Sequence, residues 1–563
     1  MESQTTTSNK ILKKEGRTSD DTSVEINLSR VRIQYLLLLA FILFGFYLRS
    51  YHLDFPSIGY HNMKENEYIS EAIFFNYDGD YLHRRTFNFW GLEDGPGYFE
   101  EYAQPPLVPY MTVFFWNIFG EHLWIPRLIV MMFMLASIPV MYALVKRLSN
   151  SEYLALLSAF LLTIMPLGVY FGRNVQPEAP AMFCILLALY FFVRWKDEQH
   201  NKDLLYTLLA FSAAGLFKIT FLIAGVICML LFPYAQMIER FQKKRNEFMK
   251  TVKYALAGVL PFVIIQSIFE FTIVDPTKKN LGSISELLNI FDPMYWTRIW
   301  PGLSSYINDN YTWWFFWLAV IGLVLVVMRK KTPFTRFVGA YALSLPVYIM
   351  IVSGKLGGHS YYQMPFLPLV VMLSAYTIIT VGMLLKSVVK IQYIEYAALL
   401  ILLLTLSPVT AANDRVWNTI FFGQDIMGEY IKEHTTPGER FFNLGHSQTQ
   451  AVCTYARRRC GDFNTVTQLI ELEKKFNIRF LHSDTYSWAN LQNNKEVVEY
   501  ITQNYKIRLI GGIPQNNQLT MIDILLERGG TINFTALHAI QPRLAKVYDT
   551  KQGDVQYYIL ENP

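Results

Sequence analysis

The chain has 563 residues, of which 52% are hydrophobic, 15% are aromatic and 17% are charged. A soluble globular protein carries about 25% charged residues, so this composition argues against a wholly soluble chain. The formal net charge of +5 is spread over the loops. No dense basic face stands apart from them, which argues against a nucleic-acid partner.

Residues 1–30 are polar and rich in Ser, Thr, Lys and Asp, which is typical of a disordered tail. A cleaved signal peptide has its apolar stretch close to the start and a small-residue cleavage site after it. Neither feature is present, so we expect a disordered cytoplasmic tail and no signal peptide.

Apolar runs of about 17–25 residues, long enough to cross a hydrocarbon core roughly 30 Å thick, recur between residues 31 and 410. The predicted spans are roughly 33–49, 126–147, 152–171, 178–195, 203–217, 218–234, 254–272, 313–328, 335–353, 361–385 and 392–410. The sequence therefore predicts a polytopic α-helical membrane protein with about eleven transmembrane helices.

The apolar stretch 104–119 begins with Gln104-Pro105-Pro106 and has Pro109 inside it. If it does not cross the membrane, the basic clusters all face the side of the N-terminal tail. They are Lys146/Arg147, Arg194/Lys196/Lys202, the six cations between 240 and 253, Arg329/Lys330/Lys331 and Lys386/Lys390. Cytoplasmic loops carry an excess of Lys and Arg. We therefore interpret 104–119 as a juxtamembrane helix on the outer face of a multi-pass protein of the cell membrane, with its N-terminus cytoplasmic.

Three sizeable elements are then predicted on the outer side: the loop 50–125, the loop 273–312 and a C-terminal domain, 411–563. The domain alternates strand-like segments with helix-like segments. The strands are predicted at 441–444, 478–481 and 507–510, and the helices at 448–458, 469–476 and 497–504. This alternation is typical of a small parallel or mixed sheet, so we expect an extracytoplasmic α/β domain.

The four cysteines constrain the chain little. Cys184 and Cys228 lie inside apolar segments and are interpreted as packing residues. Cys453 and Cys460 are close in the C-terminal domain and could form a disulfide if that domain is outside the cell, but the sequence leaves both states open. The sequons at Asn310 and Asn533 also fall on the outer side of this topology.

Polar residues at membrane level are costly, so they are candidates for function, and here they collect on the outer side. The first cluster runs from His61 to Tyr68 and contains Lys64, Glu65 and Glu67. A carboxylate near an attacking hydroxyl acts as a general base, and a close cation favours its ionised form. The alternative is an ordinary solvated helix face.

Two further cations, Arg173 and Lys218, lie at the ends of predicted spans and are candidates for binding an anion. Arg173 and Glu178 flank one turn; an arginine there suits a phosphate by bidentate contact, and a local ion pair or a snorkelling side chain is the alternative. Lys218 lies between two apolar runs with almost no loop. A phosphate would be its natural partner, and a carboxylate such as Glu178 is the structural alternative.

The segment Lys355 to Tyr362 contains two glycines that allow close backbone approach. His359, Tyr361 and Tyr362 are able to donate hydrogen bonds to a phosphate or a sugar, although tyrosines are also ordinary at a membrane interface. In the first loop, Glu101 and Gln104 could line the same cavity.

No metal motif stands out: the chain has no CxxC pair, HExxH or Walker glycine loop. Carboxylates of the first loop could supply oxygen ligands for a divalent cation, but nothing in the sequence requires one. We predict no cofactor.

The membrane part, about residues 30–380, resembles the GT-C membrane glycosyltransferases, in the branch of protein O-mannosyltransferases and lipid A aminoarabinose transferases. The resemblance rests on short features in a given order. They are the acidic motif and helix Glu65 to Ala72, Pro105-Pro106-Leu107, Phe119-Gly120-Glu121-His122 with Pro126-Arg127-Leu128, Arg173 to Glu178, Lys218, and His359-Ser360-Tyr361-Tyr362 with Pro365 and Pro368. The C-terminal domain is not covered.

This resemblance implies an active site on the outer face and a polyprenyl-phosphate-linked sugar as donor. It implies inverting transfer to an acceptor hydroxyl on a lipid, glycan or protein, with an acidic base and with cations on the donor phosphate. On this basis Glu65 is the first candidate base and Glu67 the second. Lys218, Arg173, His359 and Tyr362 would hold the phosphate, and Glu178 would orient Lys218 or the sugar.

The sequence also departs from the family pattern. Lys64-Glu65 stands where the family's first-loop motif usually begins with an Asp-Glu pair, and Gln104 stands where a lysine is common. These changes keep open the hypothesis of a catalytically inactive relative that acts as a scaffold. A transporter or flippase of lipid-linked sugars is the other alternative; it predicts polar residues at mid-membrane depth and internal repeats, and the sequence shows neither.

Overall fold

The computed structural model describes residues 33–87, 92, 104–273, 287–389, 391, 393–445, 447–515, 518–535 and 540–562. Helices dominate as far as Trp417, and a seven-stranded sheet follows. The predicted combination of a polytopic helical membrane protein and a C-terminal α/β domain is confirmed.

The helices of the first half follow the apolar runs of the sequence. They are α1 (Ile33–Ser50), α2 (Asn62–Asp78), α3 (Leu107–Phe119), α4 (Trp124–Ser149), α5 (Glu152–Ile164), α6 (Pro166–Tyr170), α7 (Glu178–Glu198), α8 (Asn201–Phe217), α9 (Ala224–Leu231), α10 (Tyr234–Lys243) and α11 (Arg245–Thr272). A 3₁₀ helix, Ile219–Ile223, joins α8 to α9.

The second half of the helical part contains α12 (Pro293–Met328), α13 (Pro333–Ile351), α14 (Ser353–Leu356), α15 (Leu367–Val388) and α16 (Leu399–Trp417). Three more 3₁₀ helices lie at Asn289–Phe291, Ser360–Phe366 and Ile394–Ala398. They end within two residues of the start of α12, α15 and α16, respectively, so these 3₁₀ turns lead into the helices that follow them.

By length and composition, eight helices of the described chain can cross a membrane, or nine if the bent pair Ile219–Leu231 and Tyr234–Lys243 is one span. The other two predicted spans are helical but shorter: α5 has 13 residues and α8 has 17. Helix α3 covers most of the stretch 104–119 and also has 13 residues. That length, about 20 Å, is too short to span a bilayer.

The C-terminal part contains α17 (Gln424–Glu433), β1 (Arg440–Leu444), α18 (Gln450–Ala456), β2 (Arg459–Gly461), α19 (Val466–Phe476), β3 (Phe480–Asp484), α20 (Thr485–Leu491), α21 (Lys495–Asn504), β4 (Tyr505–Gln515), β5 (Gln518–Arg528), β6 (Arg543–Tyr548) and β7 (Val555–Glu561). A 3₁₀ turn, Ser447–Thr449, precedes α18. The strand order is β2-β1-β3-β5-β4-β7-β6. Strand β1 pairs in parallel with β2 and β3, and all other pairs are antiparallel.

The sheet part packs on the first loop and on α2. Ser70 and Thr454 share a 3.0 Å hydrogen bond between their hydroxyls, and the Tyr455 hydroxyl accepts a 2.9 Å bond from the backbone N–H of Ser57. Cys453 and Cys460, which flank the end of α18, form a disulfide. Helix α2 is therefore held between membrane helices on one side and α18 on the other.

The two sequons differ in accessibility. Asn310 is buried inside α12, where its amide donates 3.0 Å hydrogen bonds to the Ser360 carbonyl and to Gln363. Asn533 is exposed. The prediction that Asn310 lies in a loop is therefore wrong, because it lies in α12 and its side chain packs against the segment before α15. Its position on the outer side stays a prediction.

Candidate active site

A pocket of about 220 Å³ lies where α2, the turn before α7, the end of α8 and the segment before α15 meet. It is lined by Met63, Lys64, Glu67, Tyr68, Arg84, Gln104, Gln176, Glu178, Lys218, Lys355, His359, Tyr361 and Tyr362. Four of these side chains are cations and two are carboxylates. Because low-dielectric walls strengthen the field of such groups, the lining favours an anionic ligand.

Helix α2 supplies the first wall of the pocket. Its polar residues are almost all buried because the helix is covered by α3 and α18. Lys64 and Glu67 lie one turn apart, which places them on one face. Lys64 Nζ donates a 2.6 Å hydrogen bond to Glu67 Oε2. Burial lowers the pKa of Lys64, but the Glu67 carboxylate outweighs this and the pKa is raised, so Lys64 is a cation.

Lys218 enters the pocket because α8 ends just before it. The residue is extended, with φ −159° and ψ 111°, and the chain then turns into the 3₁₀ helix. Its ammonium pairs with Glu178, at the first turn of α7, and lies 4.7 Å and 4.6 Å from the ring centroids of Tyr361 and Tyr362. The carboxylate and the two aromatic faces stabilise the charge there.

Two histidines lie beside each other at one end of the pocket. The rings of His61 and His359 are 5.9 Å apart, and His61 also packs 5.4 Å from the Tyr361 ring. Burial, with the charge of His359, lowers the pKa of His61 to about 3; burial, with the nearby lysines, lowers the pKa of His359 to about 4. Both imidazoles are neutral near pH 7. Neither nitrogen of His61 has a partner among the described residues.

Arg84 was not predicted from the sequence. Its guanidinium forms a buried 2.6 Å ion pair with Glu71 and donates a 3.3 Å hydrogen bond to the Gln104 carbonyl. The Gln104 side-chain amide in turn donates to the Phe217 carbonyl, next to Lys218. These contacts fix the loop after α2 against the end of α8, and they place a third cation in the lining.

The structure separates Glu65 and Arg173 from the pocket residues, which corrects the expectation that they would share its lining. Glu65 forms a two-pronged ion pair with Arg127, with both N–O distances 2.8 Å. Arg173 donates to the His52 carbonyl and lies 4.4 Å above the Trp417 ring. Both side chains are buried under the first loop and not directed into the pocket.

The Glu65–Arg127 pair ties the first loop to α4. Arg127 also donates to the carbonyls of His52, Leu53 and Phe55, at 3.0, 2.9 and 2.6 Å. Burial alone would raise the pKa of Glu65, but Arg127 outweighs it and brings the pKa to about 2. This is the geometry of a structural ion pair with every polar atom occupied.

Of the remaining predicted site residues, Lys64, Glu67, Gln104, Glu178, Lys218, His359, Tyr361 and Tyr362 all line the pocket. His61 packs behind it. Glu101 lies outside the described residues. Met63, Tyr68, Gln176 and Lys355 also line the pocket and stand in segments that the sequence had marked, whereas Arg84 lacked any signal.

One group of three metal-ligand side chains, Glu198, His200 and Asp203, occurs within the described chain. It lies in the turn between α7 and α8. Arg147 and Arg194 already pair with its two carboxylates. The pocket itself contains no such group among the residues that the structure describes. That the protein needs no cofactor stays a prediction.

Residues 103–265 match the family model described as dolichyl-phosphate-mannose-protein mannosyltransferase. Apo ArnT from Cupriavidus metallidurans has a similar fold, with 14% identity, a TM-score of 0.50 and coverage of 88% of this chain and 97% of that chain. The oligosaccharyltransferase AglB from Archaeoglobus fulgidus, in complex with an inhibitory peptide and a dolichol-phosphate, has 12% identity, a TM-score of 0.56 and coverage of 88% and 74%.

The chain has the GT-C fold. The predicted resemblance is confirmed to this extent: residues 103–265 match the mannosyltransferase family model, and the fold is similar to that of ArnT. No curated protein matches the sequence. Within the GT-C fold, Gln104, Glu178 and Lys218 all fall inside the segment that the family model matches.

Proposed function

We propose that this protein is a glycosyltransferase that moves a sugar from a polyprenyl-phosphate donor to an acceptor hydroxyl, with inversion at the sugar. The observation that carries the proposal is one pocket whose lining contains the cations Lys64, Arg84, Lys218 and Lys355 together with the carboxylate of Glu67. A phosphate-linked sugar needs this combination. The description of the matching family model and the dolichol-phosphate bound to AglB support the donor class.

In this proposal Lys218, Arg84 and Lys355 bind the donor phosphate. As the bond between the sugar C1 and the phosphate oxygen breaks, negative charge grows on the leaving polyprenyl phosphate. Fixed cations in a dry site stabilise that charge more in the transition state than in the ground state. Glu178 and the two tyrosine rings hold Lys218 in place for this role.

Glu67 is the proposed general base. It takes the proton of the acceptor hydroxyl while the hydroxyl oxygen forms the new bond to C1, on the face opposite the phosphate. Lys64 occupies the position where the family motif has an acid, and it pairs with Glu67 one turn later. Glu65 was the first candidate base from the sequence. We assign it a structural role instead, because Arg127 and Ser57 donate hydrogen bonds to both of its carboxylate oxygens.

We also propose that the pocket faces outside the cell and that the N-terminus is cytoplasmic. The charge bias of the loops supports this, and so does the Cys453–Cys460 disulfide, since disulfides persist in oxidising compartments. In this assignment residues 1–30 are the cytoplasmic tail, and residues 31–410 are the membrane domain with its outer loop 50–125. Residues 411–563 are an outer domain that packs against α2.

The test is sugar transfer by the purified full-length protein in detergent. Radiolabelled polyprenyl-phosphate hexoses and pentoses serve as donors, and a membrane extract supplies acceptors. Transfer of label to an acceptor, with release of polyprenyl phosphate, supports the proposal. Donor binding with neither transfer nor hydrolysis for every donor would instead support the scaffold or transporter hypotheses.

A further inference from the structure

Helix α10 has a largely exposed apolar face at the corner where the chain enters the membrane-length helix α11. None of its ten residues is buried. Tyr234, Ile238 and Phe241 recur at intervals of four and three, which puts them on one side of the helix. Each of the three is 56% exposed. The opposite side of α10 is polar: Gln236, Glu239, Arg240 and Lys243 line a cleft against the turn after α7.

The path of the chain sets the orientation of this helix. The segment before it, Ile219–Leu231, is bent by 67° from α10 at Phe232-Pro233. The segment after it, α11, is one of the helices long and apolar enough to cross a membrane. Neither the segment before α10 nor α10 itself is long enough to cross a bilayer alone. A helix with one exposed apolar side and one polar side is suited to lie along the surface of the bilayer.

The charges at this corner are mostly positive. Six cations lie within 14 residues: Arg240, Lys243, Lys244, Arg245, Lys250 and Lys253. Lys243 and Lys244 form only exposed pairs, with Glu239 and Glu247. Among the residues that the structure describes, Arg240 and Arg245 have no ion-pair partner. Exposed pairs are weak, so the corner keeps a net attraction for anions.

We infer that α10 and the first turns of α11 form a binding surface for anionic phospholipids of the surrounding leaflet. The apolar side of α10 lies among the upper acyl chains, and the cations contact the headgroup phosphates. This arrangement combines the two requirements of an interfacial helix, apolar area and attraction to anionic lipid. The inference does not depend on the proposed transfer reaction.

Native mass spectrometry of the full-length protein in detergent tests this inference, because it counts bound lipids and subunits together. The probes are phosphatidylglycerol, phosphatidylcholine and inorganic phosphate. The variant Arg240→Gln/Lys243→Gln/Arg245→Gln removes charge with residues that keep helix propensity. The matched control, Lys330→Gln/Lys331→Gln, removes exposed lysines from the α12–α13 loop.

The wild type and the control are expected to retain phosphatidylglycerol in preference to phosphatidylcholine. The triple variant is expected to lose affinity on the order of a hundredfold, because each cation near an anionic surface contributes roughly fivefold. Equal retention of the two lipids, undiminished binding by the triple variant, or displacement of the lipid by inorganic phosphate would overturn the inference. So would the variant Ile238→Ser/Phe241→Ser if it dissociated a dimer and left lipid binding unchanged, since a second copy would then cover this face.

Discussion

Lys64 Nζ donates a 2.6 Å hydrogen bond to Glu67 Oε2, one turn further along α2. The Glu67 side chain is almost fully buried, whereas the Lys64 side chain is 22% exposed and lines the pocket. A residue that departs from the family motif thus holds the side chain that we assign as the base. The replacement of an acid by Lys64 does not remove the carboxylate from the site, because Glu67 supplies one from the next turn.

The Lys64–Glu67 contact predicts a graded effect of substitution at Lys64. Lys64→Met is expected to lower kcat for transfer by about 10²-fold, because a small misplacement of a reacting group has an effect of that size. Lys64→Arg keeps a donor and should retain more activity than Lys64→Met. Initial rates at saturating donor measure both; equal rates for Lys64→Met and the wild type would show that Glu67 needs no such partner.

Removal of the Lys218 charge should impair the step in which the donor bond breaks. Lys218→Ala is expected to lower transfer by about 10²–10³-fold, the range seen when one fixed stabilising group is lost. Lys202→Ala, at the other end of α8 and exposed, is the matched control and should transfer at the wild-type rate. Full activity of Lys218→Ala would remove Lys218 from the donor site while leaving the enzyme class intact.

The Glu65–Arg127 pair predicts a stability effect that depends on pH. The folded-state pKa of Glu65 is about 2, below the usual value of 4.5. The contribution of the ionised Glu65 to the free energy of unfolding is therefore fully present above about pH 4.5 and is lost as the pH falls towards 2. The pKa shift corresponds to about 3 kcal/mol of stability. Thermal unfolding in detergent should show a fall over this window that Glu65→Gln, already destabilised at pH 7, lacks. Parallel curves for the two proteins would contradict the assignment.

The proposed orientation predicts which exposed positions react from outside the cell. Glu496 is exposed on the sheet domain, and Lys330 is exposed between α12 and α13. A membrane-impermeant maleimide should label Glu496→Cys in intact cells and Lys330→Cys only after lysis. Labelling in the reverse pattern would invert the topology.

The elements follow from local properties of the sequence, which is why they could be predicted. Each predicted span contains a helix because an apolar run of that length satisfies its backbone only as a helix in lipid. The mixed sheet follows from the alternation of short apolar strands and amphipathic helices. The bend after Leu231 falls at Pro233, and the residue before a proline disfavours helix, although the predicted span 218–234 ran through it. The extended backbone of Lys218 had no such local signal.

The site was harder to predict because the role of each polar residue depends on contacts with residues far away in the chain. Glu65 and Glu67 look alike in the sequence, and only the position of Arg127 in α4 separates their roles. Arg84 lies in the loop after α2, and nothing in the sequence pairs it with Glu71, 13 residues earlier. Helical geometry alone does not show which face α18 and α3 cover.

The central claim is that Glu67 is the base of a transferase, and the most direct test compares transfer with donor binding in Glu67→Gln, Glu65→Gln and the wild type. We predict that Glu67→Gln binds the polyprenyl-phosphate sugar as the wild type does but transfers it about 10²–10⁴-fold more slowly, the usual contribution of a general base. Glu65→Gln should retain transfer under conditions where it remains folded. Transfer by Glu67→Gln at the wild-type rate, or loss of transfer in folded Glu65→Gln alone, would contradict the account.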